Sequence, residues 1–234
     1  MSNTVKKVIV IGGVALITNV AVPQQSLECI SQQADIIIRT GEYENKPGKR
    51  LEGISKDFDI DLPIRYENGK YCVQEHDFNY KVAKALVNYL KMKDVNVILQ
   101  NTQSKKEDLN SAGRIAKQYN PKIYLSIHHN SYAKDSTGYF FMTNGDSQSV
   151  QYAKKLSNVM TSNPMLIPQR ENQINNGYIG ELNQKPGAIN ILGELGFALS
   201  NPNEAKKCAS DEQVNYIAKT LGDELIKILQ ELNN

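Results

Sequence analysis

Short, strongly apolar runs recur along the chain, and they limit the folds that it can adopt more than any other feature does. Each run is only a few residues long, as expected of strands that are buried on both faces of a sheet. The strands predicted in this way cover residues 36–38, 95–99, 122–127, 139–142 and 188–192. Glycine and polar residues flank most of these runs and separate them from one another. Runs this short are better explained as strands than as helices.

Between these runs, apolar residues recur every three or four positions, which is typical of helices that bury one face. The first predicted helix starts at residue 78, and the other three cover residues 108–119, 149–160 and 211–232. Alternation of strands and helices predicts an α/β fold, with a mostly parallel central sheet flanked by helices in a single domain.

Two long polar segments interrupt the alternation. Residues 40–74 are rich in glycine, lysine and acids, so we expect a loop insertion there, with a hairpin at Asn68-Gly69 because this dipeptide favours a two-residue turn. Residues 163–185 form a second polar loop. We expect both segments to border the groove that contains the functional site.

The N-terminal segment has a different character. Lys6-Lys7 precede an apolar stretch at residues 8–22, which is typical of a secretory signal and is shorter than the ~20 residues of a membrane-spanning helix. We therefore expect residues 1–33 to be an export signal or an uncleaved membrane anchor. Residues 34–234 would then be the catalytic domain of an exported protein, in the cell wall or anchored to the membrane. The alternative is a first buried strand at residues 8–11.

Composition excludes several classes of protein. A net charge of +2, with lysines scattered among acids, does not provide the concentrated basic face that nucleic-acid binding needs. Three cysteines without a C-x-x-C motif do not indicate a cysteine zinc site. The G-x-S-x-G motif of serine hydrolases and the G-x-G-x-x-G motif of dinucleotide-binding domains are both absent from the sequence.

Two predicted strands end in side chains that can bind a metal or move a proton. His128 follows one of them and Glu194 follows another, and in an open α/β sheet ligands bind at the carboxyl ends of the strands. Glu194 is flanked by apolar residues, where burial would raise its pKa towards the range of a general base. Glu75 precedes a predicted helix, where an acid also has the simpler role of complementing the helix dipole.

The order of these residues resembles that of the zinc-dependent N-acetylmuramoyl-L-alanine amidases. The resemblance extends from about residue 35 to about residue 232, and the order and spacing of its short motifs are more specific than any one of them. It rests on Glu75 with Asn79, on Ser126-Ile127-His128-His129-Asn130, on Lys185-Pro186-Gly187, and on Glu194 followed by Gly196-Phe197 and Asn201.

The resemblance implies an amidase-like fold and a Zn²⁺ ion held by two histidines and a glutamate, with a second glutamate as the acid–base. By position, Glu75 and His128 would be metal ligands, and Glu194 would be the catalytic carboxylate. The implied reaction is hydrolysis of the amide bond between N-acetylmuramic acid and L-alanine in peptidoglycan. Apart from the resemblance, we expect the polar side chains of Asn130 and Asn176 to contact peptide or sugar. Membrane attachment through the N-terminal segment and a protein partner for targeting both remain open.

One position departs from the family pattern. The family has a histidine ligand after the glycine that ends the first strand, whereas this chain has Glu42 after Gly41. Zinc accepts carboxylate ligands, so Glu42 is the third predicted ligand, with an extra negative charge that reduces the Lewis acidity of the metal. The alternative is a catalytically impaired amidase-like protein that binds cell-wall peptide or a partner. We expect His76 and His129, which neighbour ligand positions, to be structural.

Overall fold

The computed structural model covers most of the chain, and every structural statement below refers to the residues that it describes. These are residues 5–11, 14–20, 33–41, 48–101, 109–134, 136–161, 173–174, 180–183 and 187–234. The chain divides into two compact units, residues 1–31 and residues 32–234.

The first unit contains two strands, β1 (Val5–Ile11) and β2 (Val14–Val20), which pair antiparallel. The strand that we considered as an alternative at residues 8–11 lies within β1. Among the described residues, no helix has both the length and the apolar character needed to cross a membrane. The assignment of residues 1–33 as an export signal or anchor stays a prediction.

The second unit is built around a six-stranded sheet. Its strands, in spatial order, are β10 (Gln173–Ile174), β9 (Phe140–Thr143), β11 (Ile189–Glu194), β8 (Ile123–His128), β3 (Ile36–Thr40) and β7 (Val97–Gln100). Every neighbouring pair is parallel except β9 and β11, which are antiparallel. The α/β fold with a mostly parallel central sheet is therefore confirmed.

Helices cover both faces of this sheet, as the alternation of strands and helices predicted. They are α1 (Glu75–Lys91), α2 (Leu109–Tyr119), α3 (Ser147–Thr161), α4 (Pro202–Ala209) and α5 (Asp211–Asn233). Successive side chains of a strand point to opposite faces, so Ile36 and Ile38 of β3 pack in one core with α1, α3 and α5. Ile37 lies on the opposite face, where it packs with Tyr124 and with Ala116 of α2.

The prediction that residues 40–74 form a loop insertion was wrong in part. Three short strands, β4 (Arg50–Ile54), β5 (Arg65–Glu67) and β6 (Lys70–Gln74), form a separate antiparallel sheet. One face of it packs on Phe78 and on residues near α4, while the other faces solvent, so its composition is as polar as that of a loop. The predicted hairpin is confirmed, since Asn68 and Gly69 have φ of 51° and 78° between paired strands.

Helix α4 was also missed by the sequence analysis. It is eight residues long, too short for a clear apolar period. Its N-terminus is nevertheless well formed, because the side-chain oxygen of Asn201 accepts a hydrogen bond from the backbone N–H of Glu204 at 2.9 Å.

Candidate active site

Glu75 is the first residue of α1, and β6 leads directly into it. Its backbone N–H donates to the carbonyl oxygen of Lys49 at 3.0 Å, and its carboxylate oxygen Oε2 accepts the backbone N–H of Lys49 at 3.1 Å. The side chain is buried. One residue of the segment that precedes β4 therefore fixes both the backbone and the side chain of Glu75.

His128 is the last residue of β8, and its ring meets the Glu75 carboxylate. The distance from His128 Nδ1 to Glu75 Oε1 is 3.2 Å, and both side chains are buried. Burial alone would raise the pKa of Glu75, but hydrogen bonding and charge from His128 and the N–H of Lys49 lower it below its ordinary value. The pair thus favours a charged carboxylate beside the imidazole.

Gly41 closes the other side of the His128 ring. It follows β3, and its backbone N–H donates to the carbonyl oxygen of Ile127 at 2.9 Å. A Cβ atom at position 41 would lie only 1.8 Å from His128 Nε2. Only glycine therefore leaves room for the imidazole between β3 and the start of α1.

Glu194 ends β11 at the same edge of the sheet. It is in register with His128 across the parallel β11–β8 pair, and the backbone N–H of Leu195 donates to the carbonyl oxygen of His128 at 2.9 Å. Residues paired in this way on neighbouring strands lie on the same face. Its carboxylate oxygen Oε2 is buried, although the residue as a whole is partly exposed.

The Glu75–His128 pair fits part of a zinc site. Two ligand atoms, each about 2.1 Å from one tetrahedral zinc ion, lie about 3.4 Å apart, close to the spacing that this pair shows. Within the part of the chain that the structure describes, no group of three or more His, Cys, Asp or Glu side chains could hold a metal ion. The third predicted ligand, Glu42, lies outside the described residues, and so does Asn176.

Asn130 lies beside the pair, but its side-chain oxygen has partners within the chain. Asn130 Oδ1 accepts hydrogen bonds from Lys49 Nζ at 3.0 Å and from the backbone N–H of Ser131 at 2.7 Å. Its predicted contact with substrate stays a prediction. Lys49 was missed by the sequence analysis, because a single lysine in a polar segment carries no pattern that marks it.

His129 is fully buried on the side of Phe78 and Asn79. Its Nδ1–H donates to Asn79 Oδ1 at 2.9 Å, and its ring centroid is 5.6 Å from that of Phe78. Desolvation lowers its pKa from 6.5 to about 4, so the ring is neutral at physiological pH. His76 stacks on Tyr80, with the ring centroids 6.2 Å apart. Both contacts agree with the structural roles expected for these histidines.

An imidazole and two carboxylates at one edge of a parallel sheet are the groups with which metal-dependent hydrolases hold a metal and move protons. The profile of the N-acetylmuramoyl-L-alanine amidase family matches residues 64–227. The chain therefore belongs to the N-acetylmuramoyl-L-alanine amidase family, whose members hydrolyse peptidoglycan. No curated protein sequence matches the chain.

Solved structures show the same fold. An N-acetylmuramoyl-L-alanine amidase from Clostridium difficile 630 aligns with a TM-score of 0.68 at 20% identity, over 85% of this chain and 98% of that one. The catalytic domain of CwlV from Bacillus (Paenibacillus) polymyxa aligns with a TM-score of 0.66 at 20% identity, over 85% and 99%. The CwlD amidase of Clostridioides difficile, solved in complex with the GerS lipoprotein, aligns with a TM-score of 0.63 at 18% identity, over 84% and 98%.

Proposed function

We propose that this chain is a zinc-dependent N-acetylmuramoyl-L-alanine amidase that acts on peptidoglycan outside the cytoplasm. The observation that carries the proposal is the contact between Glu75 and His128, 3.2 Å apart, with Glu194 in register beside His128. These are the three described residues to which the family resemblance assigns metal binding or proton transfer, and they come from distant parts of the sequence.

In this proposal Glu75, His128 and Glu42 hold the metal. Zinc, when bound, polarises the amide carbonyl and lowers the pKa of water. The chain contributes rigidity, because the backbone N–H and carbonyl oxygen of Lys49 bond to the carboxylate and the backbone N–H of Glu75. Gly41 leaves room for the His128 ring against β3. Ligands held in this way need little rearrangement when the ion arrives.

Glu194 is the proposed acid–base. Its carboxylate takes a proton from the attacking water as the C–N bond of the amide is hydrolysed, and it returns that proton to the nitrogen of L-alanine as the amine leaves. The products are the lactyl carboxylic acid of the muramic residue and a peptide with a free N-terminus. A position next to His128, partly open to solvent, gives Glu194 access to both water and substrate.

Targeting is a further part of the proposal. The apolar N-terminal segment supports export or anchoring outside the cytoplasm. The CwlD amidase was solved with a lipoprotein, GerS, which supports a protein partner as a second means of targeting for this chain.

The alternative is a protein with the amidase fold and a weakened reaction, which binds cell-wall peptide or a partner. Glu42 is the feature that favours it, because a third ligand with a negative charge would make the metal a weaker Lewis acid.

Elemental analysis and a hydrolysis assay on the same purified protein separate the two functions. We expect about one zinc per chain, and release of peptides with free L-alanine N-termini from purified glycan strands, abolished by chelation and restored by added zinc. A protein without zinc that releases no such peptides, yet binds the same strands, would support the alternative and end the proposal of catalysis.

A further inference from the structure

We infer that Lys49 is a substrate-binding residue, whose ammonium group binds a carboxylate on the peptide part of the substrate. The inference rests on the proposed function, because it assigns a ligand to a group at the same site. The structure ties the position of Lys49 to the site through its backbone and holds its charged end through its side chain.

The backbone of Lys49 belongs to the site. Its N–H and its carbonyl oxygen both bond to Glu75, at 3.1 Å and 3.0 Å. Glu75 in turn contacts His128. The backbone of Lys49 is therefore held against a proposed metal ligand, and its side chain starts from a fixed point.

The side chain of Lys49 is also held in place. Its Nζ donates to Asn130 Oδ1 at 3.0 Å and to the carbonyl oxygen of Ser131 at 3.2 Å, across the loop that follows β8. An ammonium group has three N–H donors, so two hold it in place and one is available to a ligand. The rotamer entropy that binding would otherwise cost is already reduced in the free protein.

The charge of this ammonium group is not balanced by a described side chain. Both of its acceptors are neutral oxygens, and the ion pairs of the described residues do not include Lys49. Other lysines differ, since Lys81 pairs with Asp61 and Lys155 pairs with Glu231. A lysine that is exposed, held by neutral groups and adjacent to the site is suited to an anionic ligand.

The substrate class supplies such an anion close to the bond that is cut. In peptidoglycan the residue after L-alanine is a D-glutamate linked through its side chain, and its α-carboxylate is free in some cell walls and amidated in others. One residue spans at most ~3.6 Å, so this carboxylate lies about one residue beyond the scissile amide. Lys49 would thus distinguish the free acid from the amide.

Two synthetic substrates that differ only in this group test the inference. We expect the wild-type chain to show a KM about three- to tenfold lower for the carboxylate substrate than for the amide, with similar kcat, because an exposed charged hydrogen bond contributes modestly to binding. Lys49→Gln should remove the preference by raising KM for the carboxylate substrate alone. Lys49→Arg should retain it.

Lys56→Gln is the matched control, since Lys56 is another exposed lysine, on the turn after β4, and should keep the wild-type preference. Equal KM values for both substrates in the wild type, or an intact preference in Lys49→Gln, would overturn the inference.

A binding measurement separates this inference from the proposed function. Calorimetry with the two product peptides, free acid and amide, gives their Kd values without any turnover. If neither substrate is hydrolysed but the free acid binds more tightly, and only through Lys49, the proposed catalysis fails while the lysine site stands. If hydrolysis occurs and the two peptides bind equally, the lysine assignment fails alone.

Discussion

The imidazole of His128 packs directly against Gly41, so closely that a methyl group at position 41 would overlap the ring. A Cβ there would lie 1.8 Å from Nε2 and 1.9 Å from Cε1. The ring therefore has its place fixed by a glycine on one side and by the carboxylate of Glu75 on the other. This arrangement explains why a glycine ends the first strand of the central sheet.

Gly41→Ala should disable the site. The added methyl group forces the His128 ring away from Glu75, and displacements of about 1 Å in such sites cost about 100-fold in activity. We also expect a loss of about 1–3 kcal/mol in the free energy of unfolding from overpacking. Urea unfolding and the hydrolysis assay measure the two effects. In a His128→Ala background the same change should cost much less stability, and an equal cost in both backgrounds would show that the ring is not what the methyl group meets.

Glu194→Gln and Glu75→Gln should fail in different ways. Glu194→Gln removes the proposed proton acceptor, so we expect kcat to fall by about 10²–10⁴-fold while zinc content stays the same. Glu75→Gln removes a proposed ligand, so zinc affinity should fall by at least about 100-fold, more than the loss of an outer partner causes. Calorimetric zinc titration and product release separate them. Exposed Glu212 provides the control variant, Glu212→Gln, with neither defect. Zinc loss in Glu194→Gln would contradict the division of roles.

Glu42→His should increase both zinc affinity and turnover. A neutral imidazole in place of a carboxylate restores the ligand set of the family and removes a negative charge that weakens the metal as a Lewis acid. Zinc titration and steady-state hydrolysis of glycan strands, compared with the wild type, measure the change. If neither quantity rises, position 42 is not the third ligand position.

The central sheet could be predicted from the sequence because its strands are buried on both faces. Every residue of β3 and β8 is buried, and most of their side chains are apolar, which produces the short apolar runs seen in the sequence. The carboxyl ends of such strands then indicate where His128 and Glu194 must lie, although the sequence does not give their register.

The contacts around Glu75 could not be predicted in the same way. Lys49 holds it through backbone groups, which every residue except proline possesses, so no residue type at that position signals the interaction. The β4–β6 sheet was missed because strands with one solvent-exposed face have the composition of a loop.

Stability should fall in mild acid because of His129. Its pKa is about 4 in the folded protein, against an ordinary value of 6.5, because the ring is buried. A depressed pKa means that the unfolded state binds more protons between these two values, so the stabilisation is complete above pH 6.5 and is lost as pH falls towards 4. The loss amounts to roughly 2–3 kcal/mol by about pH 4.5.

His129→Gln tests this directly, because glutamine can donate to Asn79 Oδ1 in place of the ring Nδ1–H but does not titrate. Urea unfolding of chelated protein, near pH 7 and at about pH 4.5, gives the change in unfolding free energy for each form. Carboxylates elsewhere titrate in the wild type and in the variant alike, so their effect on the unfolding free energy cancels when the two proteins are compared. We expect the variant to lose roughly 2–3 kcal/mol less than the wild type over this interval. Equal losses in the two proteins would mean that His129 can be protonated in the folded state without cost, and that its burial does not control the acid sensitivity of the fold.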